Sequence, residues 1–435
     1  MDKERSSELN VDFKGQPHYT IIFAVLSIKV IQIEINFFKG FEILTLKLFT
    51  KAFHWLTVAS EKWSVSILRT FIINLLLALF IQTASASQCT SPPEVCAWKI
   101  KIVGIKTPNM IASGIMLPDG FVLTNRHVAE DHALLMIRDF KGNIKRATPI
   151  PHSIPADLVI LRPQGIKGNP ETVLQFFNET PAILYVVAFD QGRNGPRVYS
   201  PSTFAHYPNT SDFPQARIHS DTKALPGNSG GAVVDKNGRL IGILASGDGK
   251  ISEIIPAVHV NDIALQTGGQ HQSSFKATGQ AIRICADTLF AAHSIIKNPP
   301  EPIVSKIMNH CLKAKNKQLF DQAGQVFGRW WLFDKSKLFL KESEALDPKS
   351  PNTLMSLAVT YHLSRDWEKE RVILKRYLQI DPANTQALRL GAQVAGILKD
   401  REFVDQVIAL MKKHNPAALP LAQSFIEKAL DGQKP

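Results

Sequence analysis

Pro226-Gly227-Asn228-Ser229-Gly230-Gly231 sets three glycines around a single serine. Glycine lets a backbone turn tightly enough to aim consecutive amides at one point. Upstream stand Thr124-Asn125-Arg126-His127-Val128 and Ala156-Asp157-Leu158-Val159-Ile160-Leu161, which place a histidine and an aspartate at the ends of apolar, strand-like runs. A serine hydroxyl is a weak nucleophile until a neutral imidazole takes its proton, and that imidazole needs a buried carboxylate to fix its tautomer. His127, Asp157 and Ser229 fit these three roles in chain order. The amides of Gly227 and Ser229 are candidates for an oxyanion hole, with Asn228 as the spacer between them.

Around these motifs the pattern is β. Ile111-Ala112-Ser113-Gly114-Ile115-Met116-Leu117, the turn Pro118-Asp119-Gly120 and Phe121-Val122-Leu123-Thr124 read as strand, turn, strand. Ala232-Val233-Val234-Asp235, Lys236-Asn237-Gly238 and Leu240-Ile241-Gly242-Ile243-Leu244 repeat that order after the serine. Together the motifs resemble those of trypsin-like (chymotrypsin-fold) serine peptidases. The spacings, 30 residues from His127 to Asp157 (157 − 127) and 72 from Asp157 to Ser229 (229 − 157), resemble the bacterial HtrA/Deg branch.

The resemblance spans about residues 98–268. It implies an all-β double barrel, with His127 and Asp157 from the first half facing Ser229 from the second. The implied activity is that of a serine endopeptidase working on proteins or peptides through an acyl-enzyme, with no cofactor and no metal. Pancreatic-type members carry Asp before the serine, to pair with a newly cut N-terminus. This chain has Asn228, so no zymogen switch is expected. Lys101-Ile102-Val103-Gly104 is similar to an activation site but lies only 25 residues (127 − 102) before His127, and it reads as an edge strand. The resemblance puts the first substrate pocket at Lys223, Ala224, Leu225, Leu244 and Ser246. Lys223, six residues before Ser229, argues against a cationic residue there, and a small or medium apolar one is expected. The competing reading is an inactive barrel acting with the rest of the chain as a protein-binding scaffold.

The chain has 435 residues, 45% of them hydrophobic, enough for two or three domains. Its formal charge of +12 is interleaved with acidic residues, and no aromatic-basic stripe points to nucleic acid. Arg69, the apolar run Thr70 to Ile81 and Ala84-Ser85-Ala86 read as a signal peptide or signal anchor over 67–86, with cleavage after Ala86. Residues 1–66 then read either as an N-terminal extension or as sequence upstream of the true translation start, and a membrane is a partner only through an uncleaved anchor. The four cysteines all follow that site, which fits an exported, periplasmic or secreted protein. Cys89 and Cys96 bracket Pro92-Pro93, while Cys285 and Cys311 flank Asn298-Pro299-Pro300; these are the disulfide candidates, with no ligand spacing for a metal.

After the peptidase-like region 87–268 and a polar linker at 269–279, the sequence turns helical. Leu346-Asp347-Pro348, Ile380-Asp381-Pro382 and Asn415-Pro416 place prolines 34 residues apart, the tetratricopeptide period. A helical hairpin cap (280–316), three tetratricopeptide-like repeats (317–418) and a capping helix with a tail (419–435) are expected. Trp330 and Trp331 are expected in the core. The concave face of such a stack is a candidate dock for substrate or a partner. Because every candidate catalytic group precedes the linker, a chain ending near Gly269 is expected to hydrolyse short peptides unaided.

Overall fold

The computed structural model describes residues 89–170, 179–190, 195–247 and 249–431; the expected extension and signal segment lie outside them. Six strands close into a barrel in the order β1-β2-β3-β6-β5-β4. They are Ile102–Lys106 (β1), Ile111–Met116 (β2), Val122–Thr124 (β3), Leu135–Arg138 (β4), Ile144–Pro149 (β5) and Val159–Pro163 (β6). The β2–β3 hairpin is the one read from sequence, and Gly120 takes the positive φ (86°) its turn needs. β1 pairs with both β2 and β4. The expected edge strand is therefore an interior strand of a closed barrel, because closure supplies the partner an open sheet would lack.

The second half is an antiparallel sheet of seven strands that curls against the barrel, in the order β8-β7-β11-β12-β13-β10-β9. Its strands are Tyr185–Ala188 (β7), Arg197–Val198 (β8), Ala205–His206 (β9), Ile218–Ser220 (β10), Ala232–Val234 (β11), Leu240–Gly247 (β12) and Ser252–Pro256 (β13). One apolar cluster joins the halves, with Ile102, Leu123 and Ile160 from the barrel against Phe189, Val234 and Ile243 from the sheet. Burial of this shared core fixes the angle at which the halves meet.

Beyond the short helices Pro93–Cys96 (α1), Arg126–Ala129 (α2) and His259–Leu265 (α3), the chain is helical. The stretch expected to be a linker is instead a 3₁₀ turn, Gly269–His271, leading into a long helix, Gln272–Ala292 (α4). Its polar composition suggested a loop, but α4 is held by tertiary contacts. Phe275 enters the core of the first barrel. Arg126 donates to the Phe275 carbonyl (2.7 Å), and Arg283 pairs with Asp131 (2.7 Å). A Cβ on Gly279 would stand 2.1 Å from the Glu130 carbonyl oxygen, so only glycine lets the helix come this close.

α4 and Glu301–Ala314 (α5) form a hairpin tied by Cys285–Cys311, while Cys89–Cys96 closes a small loop before the barrel. Paired helices follow: Lys317–Arg329 (α6) with Phe333–Leu346 (α7), Pro351–Leu363 (α8) with Trp367–Ile380 (α9), and Thr385–Leu398 (α10) with Arg401–His414 (α11). Leu419–Leu430 (α12) packs against α10. The first helices of successive pairs begin 34 residues apart. The period is enforced locally. Asn316, Ser350 and Asn384 cap α6, α8 and α10 by accepting backbone amides, and the turns at Trp331, Arg365 and Lys399 each use one residue with positive φ. Trp330 is buried as expected. Trp331 is 63% exposed, because it occupies that turn.

Candidate active site

His127 lies on α2, directly after β3, and Asp157 lies in the loop entering β6. These strands are neighbours through Leu123↔Ile160 and Thr124↔Val159, so sheet register brings the two residues together. The Asp157 carbonyl accepts from the Arg126 amide and the Asn125 side chain, at 3.1 Å each. Its carboxylate accepts from the His127 amide through Oδ1 (2.9 Å) and faces His127 Nδ1 through Oδ2 (2.7 Å). A carboxylate only accepts, so Nδ1 carries a proton, and in the neutral imidazole Nε2 keeps its lone pair. Burial by itself would push the Asp157 carboxyl up; the facing His127 and then Arg217 overcome it and hold the group below the ordinary carboxylate range.

The glycine-rich loop sits between the two halves and is clamped by Ser113 of β2. The Ser113 amide donates to the Ser229 carbonyl (2.8 Å), and its hydroxyl donates to the Gly227 carbonyl (2.7 Å). Gly227 and Gly230 both have positive φ, 98° and 85°. A Cβ on Gly230 would fall 2.1 Å from the Ser113 carbonyl oxygen and 2.3 Å from Thr124 Oγ1, so the serine loop is seated on the strand that delivers His127. Asn228 is buried, and its amide donates to the Phe189 carbonyl (2.7 Å) and the Tyr199 hydroxyl (2.8 Å) while accepting from the Leu225 amide (2.7 Å). The spacer thus anchors the loop to the second half. Neither the Gly227 nor the Ser229 amide donates within the described residues. The Ser229 hydroxyl donates to the Ala245 carbonyl (3.1 Å) and forms no hydrogen bond to His127 among the described residues.

Of the residues expected around a first substrate pocket, Ala224 faces Gly247 and Ser246 borders a cleft, whereas Lys223 points to solvent. Leu244 is 1% exposed and belongs to the core of the second sheet. Its side chain packs there with Ile218, Val233 and Ile254. No cluster of histidine, cysteine or acidic side chains among the described residues is arranged to hold a metal.

Sequence reasoning missed the charges behind Asp157. Arg217, 3% exposed, reaches to 3.7 Å from Asp157 Oδ2 and donates to Glu253 (2.9 Å) and Ser246 (3.2 Å). Glu253 in turn meets Lys317 of α6 (2.7 Å), which also contacts Asp321 (2.8 Å) and Ser350 (3.0 Å). Beside this chain of charges, Asp347 at the end of α7 accepts from the Arg217 amide (3.2 Å) and faces His219 Nε2 (2.8 Å). The available signal was a charge and an imidazole alternating with apolar residues in Ala216-Arg217-Ile218-His219-Ser220, where a buried charge needs a partner.

Residues 112–243 match the family model of the trypsin-like peptidase domain. The barrel and curled sheet of this chain are thus a trypsin-like peptidase domain, followed by a helical region of regular pairs. Among solved structures it is similar to the Mycobacterium tuberculosis protease Rv3671c in its inactive form, at 22% identity over 40% of this chain and 96% of that one, with a TM-score of 0.32. The active form of Rv3671c (20% identity, 41% and 89% covered, TM-score 0.32) and the serine endoprotease from Yersinia pestis (22%, 39% and 63%, TM-score 0.32) are also similar. No curated protein matches the chain.

Proposed function

We propose that the chain is an exported serine endopeptidase in which Ser229 attacks the scissile carbonyl, His127 takes and returns the proton, and Asp157 orients the imidazole. The observation that carries this reading is the pairing of His127 with Asp157 beside a glycine-rich serine loop whose Gly227 and Ser229 amides remain unspent. Those amides supply the oxyanion hole, each donor being worth about 3 kcal/mol of transition-state stabilisation. Rotation of the Ser229 hydroxyl away from Ala245 toward Nε2 precedes attack, as is common where no substrate is bound. The acyl-enzyme is then hydrolysed by water through the same base.

A fluorophosphonate probe should label Ser229, and Ser229→Ala should abolish labelling and lower peptide hydrolysis by roughly 10⁴- to 10⁶-fold with the fold intact. The turned-away hydroxyl favours a second reading, a non-catalytic scaffold; absence of labelling in the intact protein would select it. The export half rests on the two disulfides, which suit an oxidising compartment. No helix among the described residues is long and apolar enough to cross a membrane. N-terminal sequencing of secreted material should give a start at or near Ser87, and an intact Met1 on a cytoplasmic form would overturn export. The helical pairs, read as a tetratricopeptide-like stack, serve substrate docking.

A further inference from the structure

His127 is the second residue of α2, a helix of one turn that is too short to be stable by itself. On its upstream side the segment is fastened within the barrel, where the Asp157 carbonyl accepts from the Arg126 amide and the Asn125 side chain. On its downstream side the fastening is α4. Phe275 shares one apolar cluster with Val128 and Ala129, the two residues after the histidine. Gly279 lies against the Glu130 carbonyl and the Arg126 guanidinium, with no room for a Cβ. Arg283 grips the Asp131 carboxylate through two nitrogens, at 2.7 and 3.0 Å. Arg126, the residue before the histidine, joins the two sides. Its buried guanidinium donates to the Glu130 carbonyl at the end of α2 and to the Phe275 carbonyl in the first turn of α4, and it lies 3.8 Å from the centre of the Phe275 ring.

We propose that α4 sets the position of the base: Arg126 and Gly279 are positioning residues that fix His127 against Asp157, so the helical region completes a pair that the peptidase domain alone leaves loose. The inference rests on the reading of His127 as the base and names what controls it. Burial pulls the Arg126 guanidinium down to about 10, so it is charged at neutral pH in a place where a cation is costly without its acceptors. One of those acceptors belongs to α4. Glu130 has φ 48° and ψ −126°, angles that a residue with a Cβ rarely adopts and that persist only where the surroundings enforce them. With α4 displaced, Arg126 loses a carbonyl and a ring, Glu130 relaxes toward ordinary angles, and the α2 backbone moves with it. A shift of about 1 Å at a catalytic group costs on the order of 10²-fold in rate. Arg126 and Gly279 are both buried, out of a substrate's reach, so the loss falls on kcat and not on KM.

The test compares full-length Arg126→Met and Gly279→Ala with the unsubstituted protein, each below its own melting temperature. On a short peptide amide kcat should fall by about 10- to 100-fold in both variants while KM stays within about twofold. Proton NMR gives a second reading that a merely structural role would not move: the downfield Nδ1–H resonance of His127 should shift or broaden in both. Arg283→Gln, at a side chain 32% exposed, takes the place of any variant that does not fold, because it loosens α4 from Asp131 without entering the core. Folded variants with an unchanged kcat, or a fall in kcat with the resonance unmoved, overturn the proposal. Fluorophosphonate labelling of the unsubstituted protein separates this inference from the reading beneath it. No labelling, with a resonance that moves in the variants, removes the peptidase and keeps α4 as the element that fixes the pair; labelling with no change in the variants does the reverse.

Discussion

Arg217 is the residue whose placement says most about how the site works. Its guanidinium stands 3.7 Å from the carboxylate oxygen that faces His127 Nδ1, so it draws on the same negative charge that would stabilise a protonated imidazole. Replacing it with glutamine keeps hydrogen-bonding capacity and removes the charge. Asp157 then acts on His127 alone, the protonated imidazole gains stability, and the acidic limb of the kcat/KM profile should move to higher pH. Arg217→Lys should keep the limb close to its original position. A limb that stays put in both variants would show that Arg217 only packs. Asn228, read from the sequence as a spacer, is also fixed by distant partners, its amide donating to the Phe189 carbonyl and the Tyr199 hydroxyl.

Among elements, α6 carries the most consequence. Its Asn316 cap and amphipathic spacing are local and favour a helix before any tertiary contact forms. Lys317, in its first turn, is a different matter, being 3% exposed with Glu253 and Asp321 on either side. Burial by itself would lower its pKa, and the two carboxylates more than reverse that and raise it. Lys317→Met would leave Asp321 buried without a cation and Glu253 with Arg217 alone, and should destabilise the protein by about 3–5 kcal/mol in denaturant titration. Loss near zero would mean that water reaches this contact. Helix α4 behaves likewise: its sequence Gln272-Ser273-Ser274 looks like a linker, and distant contacts, Phe275 in the barrel, Gly279 against Glu130 and Arg283 with Asp131, make it a packed helix.

At the scale of the whole molecule the peptidase domain and the helical region share buried charges, and they should unfold together. Burial by itself would raise Asp157, Glu253 and Asp347, yet the groups facing them, His127 and Arg217 for the first, Lys317 and Arg217 for the second, His219 and Lys317 for the third, hold all three below the ordinary range. Carboxyls depressed in the folded state contribute stability that is present above their unfolded pKa of about 4 and is lost as pH falls through the folded values. Acidification below about pH 4 should therefore melt strands and helices in one transition, visible as coincident changes in far- and near-ultraviolet circular dichroism. Two separated transitions would contradict this. The same contacts revise the expectation that a chain ending near Gly269 suffices for short peptides. Without α4, α6 and α7, Arg126, Arg217, Glu253 and His219 lose partners, and such a truncated protein should be poorly folded and inactive on a tripeptide amide. Full activity in it would show the helical region to be dispensable.

The hairpins, the serine loop, the paired cysteines and the 34-residue period were readable from the chain because each depends on neighbours within a few residues or on a repeated spacing. Asp-Gly closes a hairpin, glycine accepts positive φ, and Asn316, Ser350 and Asn384 cap their helices without help from the rest of the molecule. Tertiary structure alone decided that β1 is interior, that Leu244 faces the core, that α4 is a helix against the barrel, and that Arg217, Glu253 and Lys317 form one buried series behind Asp157. Those outcomes depend on which distant surfaces meet. A side chain's charge compensation, unlike its turn propensity, is a property of the groups that burial brings around it.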